Sequence, residues 1–202
     1  MKVQEEFDAH MQSLGDALDR FPWEDRRAYA QWVAQTFYYV HHSTRLLALA
    51  AARFSLDEHG DALHQRFARH MREENRHEQL CLRDLAAMNT SMAAFDELSE
   101  TRILYEPQYF KIEHVHPVSL LGYVLVLEVM SAKHGPRIFE RSQVHPKGST
   151  HFLDVHARED PDHVEKDFAV LQGIPDAWMR HVSDNAEQTT VAYKAWLKAV
   201  AA

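Results

Sequence analysis

Apolar side chains recur three and four residues apart along most of this 202-residue chain, which is the spacing of one face of an α-helix. No segment of useful length alternates apolar and polar residues as a half-buried strand does, and no internal repeat is present. The sequence therefore predicts an all-α fold, a bundle of about seven helices. The segment from residue 3 to 20 illustrates the pattern with Phe7, Met11, Leu14 and Leu18.

Glycine, proline and short polar stretches divide this pattern into separate helical segments. The segments expected to be helical are residues 3–20, 24–54, 61–88, 118–134, 137–144, 150–172 and 176–200. Gly135-Pro136 is expected to end one helix, and residues 101–117 are expected to form a connection that packs on the bundle. Ser149 or Thr150 is expected to be the N-cap of the helix that follows.

Length and composition predict a single domain over residues 1–202, with an apolar fraction of 46% that is ordinary for a globular protein. The formal net charge is −8, and no segment concentrates Lys and Arg, which argues against nucleic acid and an anionic membrane as partners. The longest apolar stretches are too short to span a bilayer, and the N-terminus carries no signal-peptide pattern. Cys81 is the single cysteine, so an internal disulfide is excluded and a cytoplasmic protein is expected.

Histidine stands out, with 15 residues in the chain, and imidazole is the commonest metal ligand among side chains. The first candidate ligands are Glu74 and His77, because residues three positions apart share a helix face and can reach one ion. Di-iron helical bundles use this Glu-x-x-His pair as a ligand unit. The surrounding stretch, residues 72–78, is rich in charge, so a solvated helix face is the alternative interpretation.

A second candidate is Glu128, which interrupts the most apolar segment of the chain, residues 118–134. A helix that is apolar on nearly all sides is expected to be central, so this carboxylate is expected to be buried. A buried, ionised carboxylate is costly unless it is paired or binds a metal. The segment alone leaves metal ligation, a salt bridge to a buried arginine and a protonated glutamate as alternatives.

The third candidate group has histidine, aspartate and histidine at positions i, i+4 and i+7, which form one stripe on a continuous helix. Its members are His156, Asp160 and His163. Pro161 is expected to kink the helix or to restart it, which leaves the direction of the last histidine open. Glu159 and Asp162 are the alternatives to the central aspartate.

The three groups together supply three carboxylates and three imidazoles. A donor set of this kind, without thiolate, fits iron or manganese well and zinc less distinctively. Six ligands exceed what one ion needs if it is to keep an open position for chemistry, so they favour two ions that share carboxylates. The sequence therefore predicts a metal site with the ligands Glu74, His77, Glu128, His156, Asp160 and His163.

Four motifs also carry a resemblance to a known family. They are His70-Met-Arg-Glu-Glu-Asn-Arg-His77-Glu, Leu82-Arg-Asp-Leu85, Glu128 and His156-x-x-x-Asp160-x-x-His163. With these motifs, and from about Phe37 to the final helix, the sequence resembles the haem-oxygenase-like di-iron oxidases. This is a family of iron-containing redox enzymes related to the TenA and PqqC proteins.

The resemblance implies a haem-oxygenase-like fold and assigns the six predicted residues as ligands of two Fe(II) ions per chain. It implies that dioxygen is the co-substrate and that a small organic substrate of amino acid, amine or fatty acid type is oxidised in a biosynthetic pathway. Glu74, Glu128 and Asp160 are expected to be the catalytic carboxylates. An external electron donor and a homodimer are also expected.

Two other functions are also compatible with this sequence. One is a TenA- or PqqC-like enzyme that works without a metal, and the other is a non-catalytic protein that binds metal or haem. Cys81 is expected to be a buried core residue rather than a nucleophile.

Two further sets of residues are candidates for substrate contact, each with an ordinary structural role as the alternative. Substrate contacts are expected from Tyr38, Tyr39, His41 and His42, with core packing as the alternative. A substrate carboxylate could be held by Lys133, Arg137 and Arg141, with surface solvation as the alternative.

Overall fold

The computed structural model describes residues 2–202, with side chains from residue 7 onward. The described chain forms nine α-helices and a short 3₁₀-helix, Met92–Ala94, without any strand. The α-helices are α1 (Lys2–Arg20), α2 (Arg26–Val40), α3 (Ser43–Arg53), α4 (Glu58–Glu73), α5 (Glu78–Ala87), α6 (Ser99–His114), α7 (Ser119–Ser142), α8 (His151–Leu171) and α9 (Asp176–Val200). The predicted all-α bundle is therefore confirmed. None of these described helices is both long and apolar enough to cross a membrane.

The helix α7 lies at the centre of the bundle, as its apolar sequence predicts, and packs mainly against α8 and α9. Its side chains are buried on nearly all sides, including those of Leu121 and Leu125. At Gly122 the helix approaches α9 so closely that a Cβ atom would collide with the backbone carbonyl oxygen of Val182. This close approach holds α7, and with it Glu128, in position relative to the neighbouring helices.

Two of the expected long helices are each divided by a turn. The segment expected at residues 24–54 forms α2 and α3, which are separated at His41 and His42. The segment expected at residues 61–88 forms α4 and α5, and between them Arg76 has a φ of 72°, in the left-handed region. Neither turn contains glycine or proline, so packing rather than local sequence divides these helices.

Three segments that contain proline are helical where an ending, a kink or a connection was predicted. Residues 101–117, predicted as a connection, belong largely to α6, which includes Pro107. The helix α7 continues through Pro136 to its end at Ser142, and α8 runs through Pro161 as one helix. A proline inside a helix costs about 3 kcal/mol. Burial of the apolar faces of these helices offsets that cost.

The first turn of α8 is capped by a side chain from another helix. Thr150 occupies the N-cap position, as predicted, but its side chain makes no capping hydrogen bond. Instead, the buried carboxylate of Asp84 on α5 accepts hydrogen bonds from the backbone N–H groups of His151 and Phe152, both at 2.9 Å. Because α8 carries three of the predicted ligands, this cap also helps to hold them in place.

Replacing Asp84 by alanine is expected to lower the free energy of unfolding of the metal-free protein by roughly 2–3 kcal/mol, because two backbone N–H groups lose their acceptor. Urea unfolding followed by circular dichroism measures this loss. Asp154→Ala is the matched control, since Asp154 also lies in the first turn of α8 but is partly exposed and pairs with Arg158. An equal loss in both variants would contradict the capping role of Asp84.

Candidate metal site

The six predicted ligands lie close together between the end of α4, the start of α5, and the helices α7 and α8. Glu74 and His77 flank the turn between α4 and α5. The prediction that they share one face of a continuous helix is therefore wrong, although the turn still directs both side chains to the site. Glu128 comes from α7. The helix α8 supplies His156, Asp160 and His163.

One group of four side chains has ligand atoms that all lie within 4.8 Å of one another. Its members are His70, Glu74, Glu128 and His163. Oε1 of Glu128 lies 2.9 Å from Nε2 of His70 and 3.4 Å from Nδ1 of His163. Two carboxylates and two imidazoles at these distances can hold one divalent ion. We use the name "ligand cluster" for His70 together with the six predicted ligands.

His70 is the member of the ligand cluster that the sequence analysis did not predict. It lies on α4, one helical turn before Glu74, and its side chain is only 2% exposed. Residues at positions i and i+4 share a helix face, so this spacing was the sequence signal that could have identified it.

A second group contains Glu74, His77 and His156, again with ligand atoms within 4.8 Å of one another. Glu74 therefore belongs to both groups. Its Oε1 lies 3.6 Å from Nε2 of His70, and its Oε2 lies 3.5 Å from Nδ1 of His77. Glu74 therefore has one carboxylate oxygen towards each group.

His156 is held in the form that a metal requires. Its Nδ1 lies 2.9 Å from the carbonyl oxygen of Phe152, which can only accept, so Nδ1 carries the proton. Burial lowers the pKa of His156, which favours the neutral ring. The lone pair on Nε2 is therefore free to bind a cation.

Asp160 is the buried acidic residue of its stretch and lies next to the group of four, although it belongs to neither group of possible ligands. Its side chain is buried, and its Oδ1 lies 3.7 Å from Nδ1 of His163. Asp162 is exposed and forms a surface ion pair, so it lies outside the cluster. The carboxylate of Glu159 is half-exposed at the rim, 3.8 Å from Nε2 of His77.

The carboxyl and imidazole groups of the ligand cluster shift one another's pKa values. Burial by itself would lower the pKa of His70, but Glu128 and Glu74 outweigh this effect and raise it to about 10. Burial would raise the pKa of Glu128, but His70 and His163 lower it to about 2. Burial and the charge of Glu128 raise the pKa of Asp160 well above its usual range. Protons thus balance the carboxylates of the metal-free cluster, and a bound cation would displace them.

Many buried polar atoms of the ligand cluster have no hydrogen-bond partner. They are both carboxylate oxygens of Glu128, Oδ1 of Asp160, and Nδ1 of His70, His77 and His163. Since nearly all buried polar atoms in folded proteins are hydrogen-bonded, so many unpartnered donors and acceptors in one place indicate a site built for a cation. Carboxylate and imidazole ligands without thiolate fit iron or manganese.

A mostly apolar cavity adjoins the ligand cluster. Five residues of the cluster contribute to its walls: His70, Glu74, Glu128, His156 and Asp160. Much of the remaining wall is apolar and includes Leu47, Val124 and Leu127. The hydroxyl of Tyr123, which also lines the cavity, is buried and has no hydrogen-bond partner. Among the described residues that line this cavity there is no lysine or arginine.

Of the residues expected to contact a substrate, Tyr39 lines this cavity. The hydroxyl of Tyr38 instead donates to a backbone carbonyl in the connection before α6. His41 is exposed, and Nδ1 of His42 lies 2.8 Å from the hydroxyl of Tyr109. These three residues do not line the cavity, in agreement with the alternative interpretation that they serve packing and contacts between helices.

The three basic residues after Glu128 lie at the surface, as the alternative interpretation of solvation predicts. Lys133, Arg137 and Arg141 form ion pairs with Asp8, Asp19 and Glu24 respectively, and none of them lines the cavity. Cys81 is fully buried on α5, as predicted for a core cysteine.

Solved structures with a similar fold include three that match almost the whole chain. A domain of unknown function with a haem-oxygenase-like fold from Shewanella denitrificans has a TM-score of 0.85 and 20% identity, covering 98% of this chain and 90% of its own. A TenA homologue from Pseudomonas syringae pv. tomato has a TM-score of 0.80 and 10% identity, and the match covers 98% of this chain and 91% of the homologue. A CADD-like protein of unknown function from Nostoc punctiforme has a TM-score of 0.75 and 15% identity, with coverages of 100% and 97%. These similarities confirm the predicted haem-oxygenase-like fold.

The sequence itself also matches a family profile. The profile is described as that of iron-containing redox enzymes, and it matches residues 30–197. This range includes the whole ligand cluster. No functionally curated protein matches the sequence significantly.

Proposed function

Because the chain belongs to the family of iron-containing redox enzymes, we propose that it is a non-haem di-iron oxidase that uses dioxygen to oxidise a small organic substrate. The observation that carries this proposal is the presence of two ligand groups that share Glu74 inside the bundle. One ion would be held by Glu74, His77 and His156, and the other by Glu74, Glu128, Asp160 and His163. When bound, ferrous iron supplies the electrons that reduce dioxygen.

The protein's own side chains prepare this site in three ways. The hydrogen bond from His156 to the carbonyl oxygen of Phe152 fixes the tautomer that leaves Nε2 free. Glu128 provides negative charge inside the bundle, where little water competes with it for a cation, and Asp160 would add a second negative charge once a bound cation displaced its proton. The apolar walls of the cavity exclude water from the space next to the ligands, which protects reactive species from side reactions.

The cavity supports a substrate whose larger part is apolar. Its walls are mostly aliphatic and aromatic, so they favour a hydrocarbon chain or ring. Since no lysine or arginine is among the described residues that line it, an anionic group of the substrate would have to lie at the ligand cluster, where the metal ions and histidines are. The hydroxyl of Tyr123 is available to form a hydrogen bond with a polar group next to that apolar part. An apolar acid or amine therefore fits the cavity better than a polar amino acid.

Anaerobic titration of the metal-free protein with Fe(II), followed by exposure to dioxygen, tests this proposal. We expect about two iron ions per chain, as in other di-iron bundles, then uptake of dioxygen with a transient absorption band in the visible region. Binding of a single ion would contradict the di-iron assignment. Two bound ions that never react with dioxygen would contradict the oxidase assignment, and full activity in the presence of a strong chelator would favour the metal-independent alternative.

A further inference from the structure

We infer that His70 is a further metal ligand, which binds through Nε2 the ion shared by Glu74 and Glu128. This inference rests on the proposed function and adds a fourth imidazole to the six predicted ligands. Nε2 of His70 lies 2.9 Å from Oε1 of Glu128 and 3.6 Å from Oε1 of Glu74. Donor atoms about 2.1 Å from a divalent ion in an octahedral arrangement lie roughly 3 Å from one another. The nitrogen of His70 is therefore at the distance from Glu128 expected of a second ligand.

The contact between His70 and Glu128 is close without being an aligned hydrogen bond. Both oxygens of Glu128 are buried, and neither accepts a hydrogen bond. The same oxygen that lies near His70 also lies 3.4 Å from Nδ1 of His163. Two imidazole nitrogens thus lie within 3.4 Å of one carboxylate oxygen. Side chains that surround a common point in this way are arranged as ligands of one ion.

The other ring nitrogen of His70 faces a buried carboxylate, as is usual for histidines that bind metals. Its Nδ1 lies 4.0 Å from Oδ2 of Asp167 on α8, and Asp167 is fully buried. Nε of Arg66, a buried residue on α4, donates to Oδ1 of the same aspartate. The carboxylate of Asp167, held by Arg66, lies too far from Nδ1 for a hydrogen bond, and its charge favours a proton on that nitrogen. The tautomer with its proton on Nδ1 leaves Nε2 of His70 free for the ion.

His163, one of the six predicted ligands, has a matching arrangement. Its Nδ1 faces Glu128, while its Nε2 lies 3.6 Å from Oε2 of Glu73. The same oxygen of Glu73 accepts a hydrogen bond from Arg66, at 3.2 Å. The guanidinium of Arg66 therefore holds both carboxylates that face the far ring nitrogens of these histidines, Asp167 for His70 and Glu73 for His163. This places His70 in the same structural role as His163, and Arg66 and Asp167 are positioning residues for it.

The alternative role of His70 is that of a counter-ion, a protonated imidazole that only neutralises Glu128. Proton NMR of the Co(II)-loaded protein in water distinguishes the two roles, because an imidazole bound to Co(II) gives a strongly shifted N–H signal that disappears in D₂O. In His70→Gln we expect one such signal of the wild-type protein to be missing and the affinity for Co(II) to fall on the order of tenfold to a hundredfold. Retention of every shifted signal in this variant would overturn the inference.

The matched control is His64→Gln, because His64 lies on the same helix and its Nδ1 contacts the backbone carbonyl of Ala51, away from the ligand cluster. This control is expected to keep all shifted signals and the wild-type affinity.

His70→Ala with added imidazole gives a second measurement, in which the free imidazole is expected to restore the affinity for Co(II). Failure of the imidazole to restore it would count against a ligand role.

Two outcomes separate this inference from the proposed function. A wild-type protein that binds no Co(II) would overturn both. Co(II) binding that is unchanged in His70→Gln would overturn only the role of His70.

Asp167→Asn is expected to shift the N–H signal of His70 without removing it, because Asp167 positions this ring and does not bind the ion. An unshifted signal would contradict the positioning role of Asp167.

Discussion

Glu74→Ala is expected to lose both metal ions, whereas His156→Ala is expected to lose only one. The reason is that Glu74 belongs to both ligand groups, with Oε1 facing one and Oε2 facing the other. His156 belongs to one group only, so the second group keeps its carboxylates and imidazoles when this ring is removed. The iron content is expected to fall from about two ions per chain to nearly none in the first variant and to about one in the second.

The measurement is the iron content of each variant after anaerobic loading and removal of unbound iron by gel filtration. Circular dichroism establishes that each variant is folded before its iron is counted. Glu165→Ala is the matched control, since Glu165 is an exposed residue on α8, and it is expected to keep the wild-type content. Retention of one tightly bound ion in Glu74→Ala would contradict the bridging position of this carboxylate.

Gly122→Ala is expected to destabilise the fold by about 3 kcal/mol or more, although alanine favours helices by about 1 kcal/mol over glycine. The added Cβ would collide with the carbonyl oxygen of Val182 and would lie 2.9 Å from the backbone nitrogen of Ala186. Both obstacles are backbone atoms, so no side-chain rotation relieves the collision. The helices α7 and α9 must move apart, and apolar contacts between them are lost.

The same substitution is expected to weaken metal binding without touching a ligand. Glu128 lies six residues further along α7, roughly 9 Å along the helix axis, so a shift of α7 also moves this carboxylate. Urea unfolding measures the stability, and Fe(II) titration measures the affinity. The control is Gly173→Ala, where a Cβ would make an ordinary contact of 3.6 Å, and its free energy of unfolding is expected to change by less than about 0.5 kcal/mol. Equal losses in the two variants would show that the close approach of α7 and α9 is unimportant.

Much of the fold could be predicted from the sequence because helical spacing is a local property. A stripe of apolar residues determines which face of a helix is buried, whatever it packs against. The apolar surroundings of Glu128 likewise predicted a buried carboxylate, which the structure places on the central helix with 6% exposure. The spacing of His156, Asp160 and His163 required only that α8 be continuous, and it is continuous through Pro161.

The turn between α4 and α5 could not be predicted in the same way. Arg76 adopts a left-handed φ there without any glycine, so the contacts of the two helices, rather than local preference, determine the break. Residues 101–117 were predicted as a connection because their apolar pattern is irregular, and the face that α6 buries is defined only by the helices that pack against it. Local preferences are a few tenths of a kcal/mol per residue, and tertiary burial overrides them.

Residue patterns alone indicated a helical chain, a central α7 and six candidate ligands, because each of these rests on local spacing and apolarity. Tertiary packing was needed to turn Glu74 towards two groups at once and to bring Asp167 beside Nδ1 of His70. The contact of Nδ1 of His70 with Asp167 depends on the ion pair between Arg66 and Asp167, which are 101 residues apart in the chain. No local pattern encodes such a contact, because its free energy exists only after packing has brought the two helices together and removed water from between them.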